Sequence, residues 1–407
     1  MSGIIGVVQA IESEQSTPGN PAPDLTPKGL LNDDGNYILQ QDDMYSLLKY
    51  VCAGLLLPVT DWEYIERLHL SQDTIGIISS SLEPLIATYV TAQGHCEDFR
   101  RTIYPGITAI ASDVYDYAQI ACGKGTNPFF SYSNLIQRVS ALSTTAPGVE
   151  QARLRLTIKN ITGYLSTVVG DIASKLQAAV SDLNAFEQTM MQDKQNIQQY
   201  QSAIVDLLQT EEGDIQDLQA KVVQYQAELT SDEATYEHDL VVACSTPSYA
   251  WIPFIGIFVA SAVATIYGEK AAAMANVIGG VKQLISNTEG EIADEKGIAA
   301  NLAAVESDVS SLLATMTPAI TVIQKMIGVW QAISGDLDNL QQMVETDISV
   351  ASAAIAEIVE EKLVERWSEL ADAGTTAFLY QQAAVITDAQ LVGLDELASQ
   401  LSNQVVV

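Results

Sequence analysis

The sequence is short of positive charge. Its 407 residues include 19 Lys and Arg against 51 Asp and Glu, a formal net charge of -32. Binding to nucleic acid or to anionic lipid as the main activity is excluded, because both depend on Lys and Arg neutralising phosphate. Charge of either sign is also scarce: charged residues make up 17% and apolar residues 48%, where an ordinary soluble domain carries about 25% charged. One compact core at this length would be larger than usual, so the chain is expected to form two or three packed units or one very elongated one, and the composition favours the latter.

Cysteine is sparse too. Cys52, Cys96, Cys122 and Cys244 lie far apart with no C-x-x-C spacing, which argues against a zinc site and against a disulfide scaffold, and the expectation is buried free thiols. The opening MSGIIGVVQAIESEQST has no Lys or Arg before its short apolar stretch, and Glu12 and Glu14 follow. It is therefore not a signal peptide of the usual plan, and export, if it occurs, is expected by another route.

Motifs of catalysis are missing as well. The sequence holds no Walker loop, G-x-G-x-x-G, H-E-x-x-H or G-x-S-x-G, so no catalytic residue, cofactor or metal is expected. His69, His95 and His238 stand apart, and His95 and Cys96 are adjacent, a spacing at which two helical side chains do not face each other. The acids are dispersed rather than set out as a calcium loop. Arg153, Arg155 and Lys159 are expected on a solvated face or paired with acids of a neighbouring helix.

What is present is a helical mixture. Ala, Gln, Leu, Ile, Asp, Glu and Ser dominate from about residue 150 onward, and strand signals are nearly absent. Pro18, Pro21, Pro23 and Pro27 predict a flexible, extended N-terminal arm over residues 1–41. Helices are predicted from about Asp43 to Leu56, from Thr74 to Asp98 with a kink at Pro84, from Pro105 to Ala121 and from Asn134 to Ser143.

No proline interrupts Gly148 to Asp239, which predicts one or two very long helices. Met190, Ile197, Tyr200, Ile204 and Leu207 follow a seven-residue rhythm. Ile215, Leu218, Val222, Tyr225, Leu229 and Tyr236 resume it displaced by four residues, a stutter near Gly213. Val281, Leu284, Ile298, Leu302, Val305, Val309, Leu312 and Met316 keep matching spacing until Pro318, so two long antiparallel helices can zip together. The fold class expected is all-α: a tail bundle from residues 42–175 and 318–407, and a coiled-coil stalk over 176–317. The stalk ends in an apolar helical hairpin at about 240–280.

That hairpin contains Leu240 to Gly268, 29 consecutive residues without a charge, where roughly 20 suffice to span a bilayer. The hydrophobicity is moderate. Ile252, Phe254, Ile255, Ile257, Phe258, Val259, Val263 and Ile266 favour insertion, while Ser261, Thr265 and several Ala and Gly oppose it or add little. The balance suits a segment that shelters against its own protein in water and enters lipid after rearrangement. Gly256, Ala260, Ala264 and Gly268 recur four apart, which on a helix is the small-xxx-small stripe of membrane packing. Tyr249 and Trp251 are placed as interfacial aromatics, and Tyr267 is also expected to meet the membrane. The other reading of the same residues is a buried hairpin capping the coiled coil.

Two short blocks, Tyr50-Val51 through Gly54-Leu55-Leu56-Leu57-Pro58 and Ile266-Tyr267-Gly268-Glu269-Lys270-Ala271, resemble the A component of the xenorhabdolysin type of binary toxin. The order of elements is similar to that of alpha-helical pore-forming toxins, the group of cytolysin A and the haemolysin BL components. The resemblance implies a non-enzymatic chain, secreted and soluble before assembly. It would meet a B-component protein, form a homo- or hetero-oligomeric ring on a target-cell lipid bilayer and perforate it. Two alternatives remain open: a non-lytic coiled-coil scaffold or receptor anchored by one transmembrane helix, and a single-component helical insecticidal toxin.

Overall fold

The computed structural model describes residues 23–30, 51, 54–55, 57–68, 70–208, 220, 224, 256–258, 294–372 and 390–392. The elements in chain order are α1 (Asp61–Leu68), α2 (Gln72–Asp98), a π-helical turn (Phe99–Ile103), α3 (Tyr104–Cys122), a 3-10 turn (Pro128–Phe130), α4 (Tyr132–Thr144) and α5 (Val149–Leu208). After these come β1 (Gly256–Phe258), α6 (Asp294–Thr346), α7 (Ile348–Glu360), α8 (residues 363–372) and β2 (Gln390–Val392). Among the described residues the fold is all-α apart from the three-residue pairing of β1 with β2.

The helices start and stop where local chemistry dictates. Ser71 accepts the Thr74 amide at the start of α2, and Asp347 accepts the Ser349 and Val350 amides at the start of α7; both leave fewer orphan donors in the first turn. Gly123, at φ 83°, closes α3 in the left-handed conformation that glycine adopts without steric cost. The break expected between Asp98 and Pro105 is instead a continuous helix. Pro105 has no amide to offer a residue four back, and the π-helical turn over Phe99–Ile103 shifts the bonding pattern immediately before it. Proline is accommodated twice more, at Pro84 inside α2 and Pro318 inside α6. Thr88 Oγ1 donates to the Pro84 carbonyl at 3.0 Å, tying that turn. α6 runs through Pro318, where the matching heptads were expected to end.

Two compact units emerge, one from Met1–Leu31, Val114–Ala173 and Gly328–Asp372, the other from Asn32–Asp113, Ser174–Ile327 and Ala373–Val407.

In the first unit the core is aromatic. Trp367 lies 5.0 Å from Tyr117 and 6.0 Å from Trp330 between ring centroids, and the Tyr117 and Tyr132 hydroxyls hydrogen-bond at 2.7 Å. Residues 23–30 are not the flexible arm expected. Leu25 and Leu30 are fully buried, and Trp367 Nε1 donates to the Leu25 carbonyl at 2.9 Å. The apolar side chains between the prolines find a core, and that burial offsets the ordering cost the composition implied. In this unit α5 and α6 run antiparallel: Thr162 Oγ1 donates to Gln341 at 3.1 Å, and Ser166 meets Ser334 at 3.3 Å.

In the second unit α2 and the π-helical turn pack on α5. Phe99 meets Phe186 in a tilted contact, with ring centroids 4.7 Å apart and planes at 39°. The same antiparallel partners meet again where Thr317 Oγ1 of α6 donates to Glu187 of α5 at 3.3 Å. The continuous helix Gln72–Cys122 is the one helix, among the described residues, long and apolar enough to cross a membrane. Its Leu82, Leu85, Tyr89 and Cys96 are buried, as in the core helix of a folded bundle.

Candidate functional site

Of the residues expected to meet lipid, Gly256, Ile257 and Phe258 fall within the described part. They form β1, antiparallel to β2 with Gly256 opposite Val392, Ile257 opposite Leu391 and Phe258 opposite Gln390. At these three positions the expected helix is replaced by extended backbone. β-branched and aromatic side chains favour that conformation when a partner strand is available, and Gln390–Val392 supplies it. In this structure the stripe expected to begin at Gly256 therefore does not begin on a helix. Tyr249, Trp251, Ile252, Phe254, Ile255, Val259, Ala260, Val263, Ala264, Ile266, Tyr267 and Gly268 lie outside the described residues. So do the second heptad set from Ile215 to Tyr236, apart from backbone at residues 220 and 224, and Val281 and Leu284 of the partner set.

The seam that carries the segment is better defined. On α5, Leu183, Phe186, Met190, Asp193 and Ile197 are all buried and alternate at spacings of three and four, the a/d pattern of a coiled coil. Ile204 continues the buried line, Tyr200 is half-buried, and Leu207 is exposed at 36%, so the expected rhythm loses its grip at its last member. Ile298 and Met316 of the partner set are buried on α6; for Leu302, Val305, Val309 and Leu312 only the helical backbone is described.

Asp193 is a carboxylate in a core position of the seam, only 2% exposed, and His95 Nδ1 of α2 lies 2.7 Å from its Oδ2. Burial raises the Asp193 pKa from its ordinary value, and the His95 hydrogen bond lowers it by less. A reading of apolar residues alone misses this pair; the signal was a polar residue at a position that the spacing assigns to the core. Cys96 beside it is fully buried, and burial, with the nearby Asp193 charge, pushes its thiol well up. It is thus a neutral core side chain and not the thiolate that nucleophilic catalysis needs. Cys122 is half-buried, so it departs from the buried-thiol expectation.

The Gly54 to Pro58 block docks on the same helix. A Cβ at Gly54 would collide with Cys96 Sγ, so the glycine permits close approach of backbone to α2. Gln93 Nε2 donates to the Leu55 carbonyl at 2.8 Å and holds the turn there. The basic trio is structural. Arg153 pairs with Glu150 on its own helix at 2.7 Å, Lys159 with Glu345 of α6 at 3.6 Å, and Arg155 donates to the Val344 carbonyl.

No family model matches the chain. A pesticidal crystal protein of Bacillus thuringiensis, Cry6Ba, is 20% identical over 382 residues, covering 89% of this chain and 92% of that protein. Among solved structures, soluble SmhB of the tripartite alpha-pore-forming toxin Smh from Serratia marcescens aligns at a TM-score of 0.55 and 13% identity, covering 91% of this chain and 96% of that one. The Bacillus cereus HblL1 toxin component aligns at 0.57 and 11%, covering 87% and 98%. Soluble AhlB of the tripartite toxin AHL from Aeromonas hydrophila aligns at 0.55 and 14%, covering 91% and 99%. The fold of this chain is the helical fold of those toxin components.

Proposed function

We propose that the chain is a non-enzymatic pore-forming toxin component: soluble and exported, then assembled as a ring on a target-cell bilayer with a partner chain. The observation that carries this reading is the 29-residue uncharged run Leu240 to Gly268, set within a fold shared with soluble components of alpha-pore-forming toxins. The run is long enough to span hydrocarbon yet only moderately apolar. That combination supports a segment sheltered in water whose exposure is favoured by lipid, which supplies the differential affinity a conformational switch requires. The tail bundle, stalk and terminal hairpin remain the working division of labour, with the stripe Gly256, Ala260, Ala264 and Gly268 packing helices in the ring.

The scaffold or receptor held by one constitutive transmembrane helix has less support, because the run is flanked by Asp239 and by Glu269 with Lys270 and lacks a basic cluster at one end. The single-component insecticidal reading is supported by the likeness to Cry6Ba, a pesticidal crystal protein.

The test adds purified chain to red cells and to dye-loaded vesicles of phosphatidylcholine and cholesterol, with flotation in parallel. The expected result is a protein that is soluble without detergent, floats with the vesicles and releases dye. Release by the chain alone favours the single-component form, and release only with a second chain favours the binary form. A protein that requires detergent for extraction, or that floats without ever releasing dye, contradicts the proposal.

A further inference from the structure

Residues 117–170 invert the charge of the chain. They hold five bases and a single acid, Glu150, a net of +4 against -32 for the whole sequence. The same stretch carries large apolar side chains on its outside: Phe129 is 42% exposed, Val149 88%, Leu156 60% and Tyr164 38%. α5 already has an apolar face in the core of the first unit, through side chains such as Ile158 and Leu165. Val149, Leu156 and Tyr164 lie within about 80° of one another around the helix, so they form a second apolar stripe that the core does not use.

Phe129 is joined to that stripe. Phe130 stacks on Tyr164 at 4.0 Å between ring centroids and meets Phe129 edge-on at 5.1 Å. The turn that presents Phe129 is fixed by hydrogen bonds: the Phe129 amide donates to Asn127 Oδ1 at 3.3 Å, and its carbonyl accepts from Asn134 Nδ2 at 2.7 Å. An exposed ring held on a fixed turn loses little freedom on binding. Size and charge identify what it meets. Four partly exposed side chains fall short of the about 800 Å² that a stable protein interface takes from each partner, whereas a bilayer surface needs only a few apolar and aromatic side chains at headgroup level. Elsewhere the excess of acid disfavours approach to lipid phosphates. Here Glu150, with Glu345 and Asp372 pairing to Lys159 and Lys124, still leaves two of the five bases in excess.

We propose that the outer stripe of α5 from Val149 to Tyr164, together with Phe129, is a docking surface for a phosphatidylcholine bilayer, separate from the uncharged run Leu240 to Gly268. It deepens the pore-forming reading, and rests on that reading for the choice of a bilayer.

Phe129→Gln with Leu156→Gln in the full chain tests it, beside the wild type and the control Ile77→Gln, an exposed position of the second unit. Binding is titrated by flotation on phosphatidylcholine and cholesterol vesicles, with dye release read on the same samples. Thermal midpoints report folding, and sedimentation in buffer reports self-association. The expected result is vesicle binding at least about tenfold weaker for the double variant, at an unchanged thermal midpoint, with binding of the control unaltered. Equal flotation of wild type and double variant, a wild type that does not float, or an equal loss in Ile77→Gln overturns the docking surface. Self-association of the wild type that the double variant loses assigns the face to a second copy. Weaker binding to red cells with unchanged binding to vesicles assigns it to a cell-surface protein or glycan, and either result overturns the lipid assignment. Should the double variant fail to fold, Val149→Gln, the most exposed of the four, makes the same comparison. A wild type that floats through this stripe yet releases no dye, alone or with a second chain, removes the pore-forming reading and leaves the docking surface; dye release with equal flotation removes the docking surface alone.

Discussion

Asp193 concentrates the electrostatics of the seam in one side chain. Its carboxylate sits in a core position of α5 with His95 as its hydrogen-bond partner, and burial holds its folded pKa above the ordinary 3.8. Between the ordinary and the raised value the folded protein keeps a proton that the unfolded chain has released. Asp193 therefore adds stability as pH falls through its raised pKa, and that contribution is absent at neutral pH. Asn retains an oxygen to accept from His95 but carries no charge to desolvate. Asp193→Asn is thus expected to melt higher than the wild type at neutral pH, with the difference shrinking on acidification into the upper carboxylate range. Thermal denaturation across pH reads this directly, and a constant difference at all pH values would reject it. Asp336 of the first unit is raised for the same first cause, burial, and contributes with the same sign.

At the scale of elements, α5 is where pattern reading worked. An unbroken apolar rhythm with no proline predicted a helix of great length, and Val149–Leu208 is 60 residues. Its antiparallel partner was readable for the same reason. The misses share a different cause, since a proline or a local composition was read without its tertiary context. Pro318 does not end α6, the chain before Pro105 bridges α2 to α3 through a π-helical turn, and residues 23–30 are fixed by Trp367 and by burial of Leu25 and Leu30. The helix α1 carries Trp62 and Tyr64 in eight residues, too short a window for periodicity to register. The packing of α2 on α5 through Phe99 and Phe186 is an element-level contact with a measurable weight. Phe186 is 4% exposed, and Phe186→Ala is expected to cost about 3–5 kcal/mol of folding stability. Chemical denaturation tests this; a loss below about 1 kcal/mol would mean the seam repacks around the gap.

Across the whole molecule, composition and the long apolar rhythms were enough to read an all-α chain; the sheltered apolar segment lies almost wholly outside the described residues. The partner of that segment was not readable. β2 is three residues of unremarkable sequence, Gln390, Leu391 and Val392, far from β1 along the chain, and strand pairing depends on which edge a segment meets rather than on its own propensity. The same limit applies to Gly54, whose need for glycine comes from Cys96 on another element. On the proposed reading, an acidic molecule that carries 29 uncharged residues in one run conceals that run before contact and exposes it afterwards.

Trp251 sits inside the run, and its emission reports this change most directly. The difference spectrum between the wild type and Trp251→Phe isolates it from Trp62, Trp330 and Trp367. It is recorded in buffer and with phosphatidylcholine and cholesterol vesicles carrying brominated acyl chains, under conditions where the protein floats. The account predicts a blue-shifted signal quenched by the bromolipid. A Trp251 signal left unshifted and unquenched on protein that has bound the vesicles would contradict it.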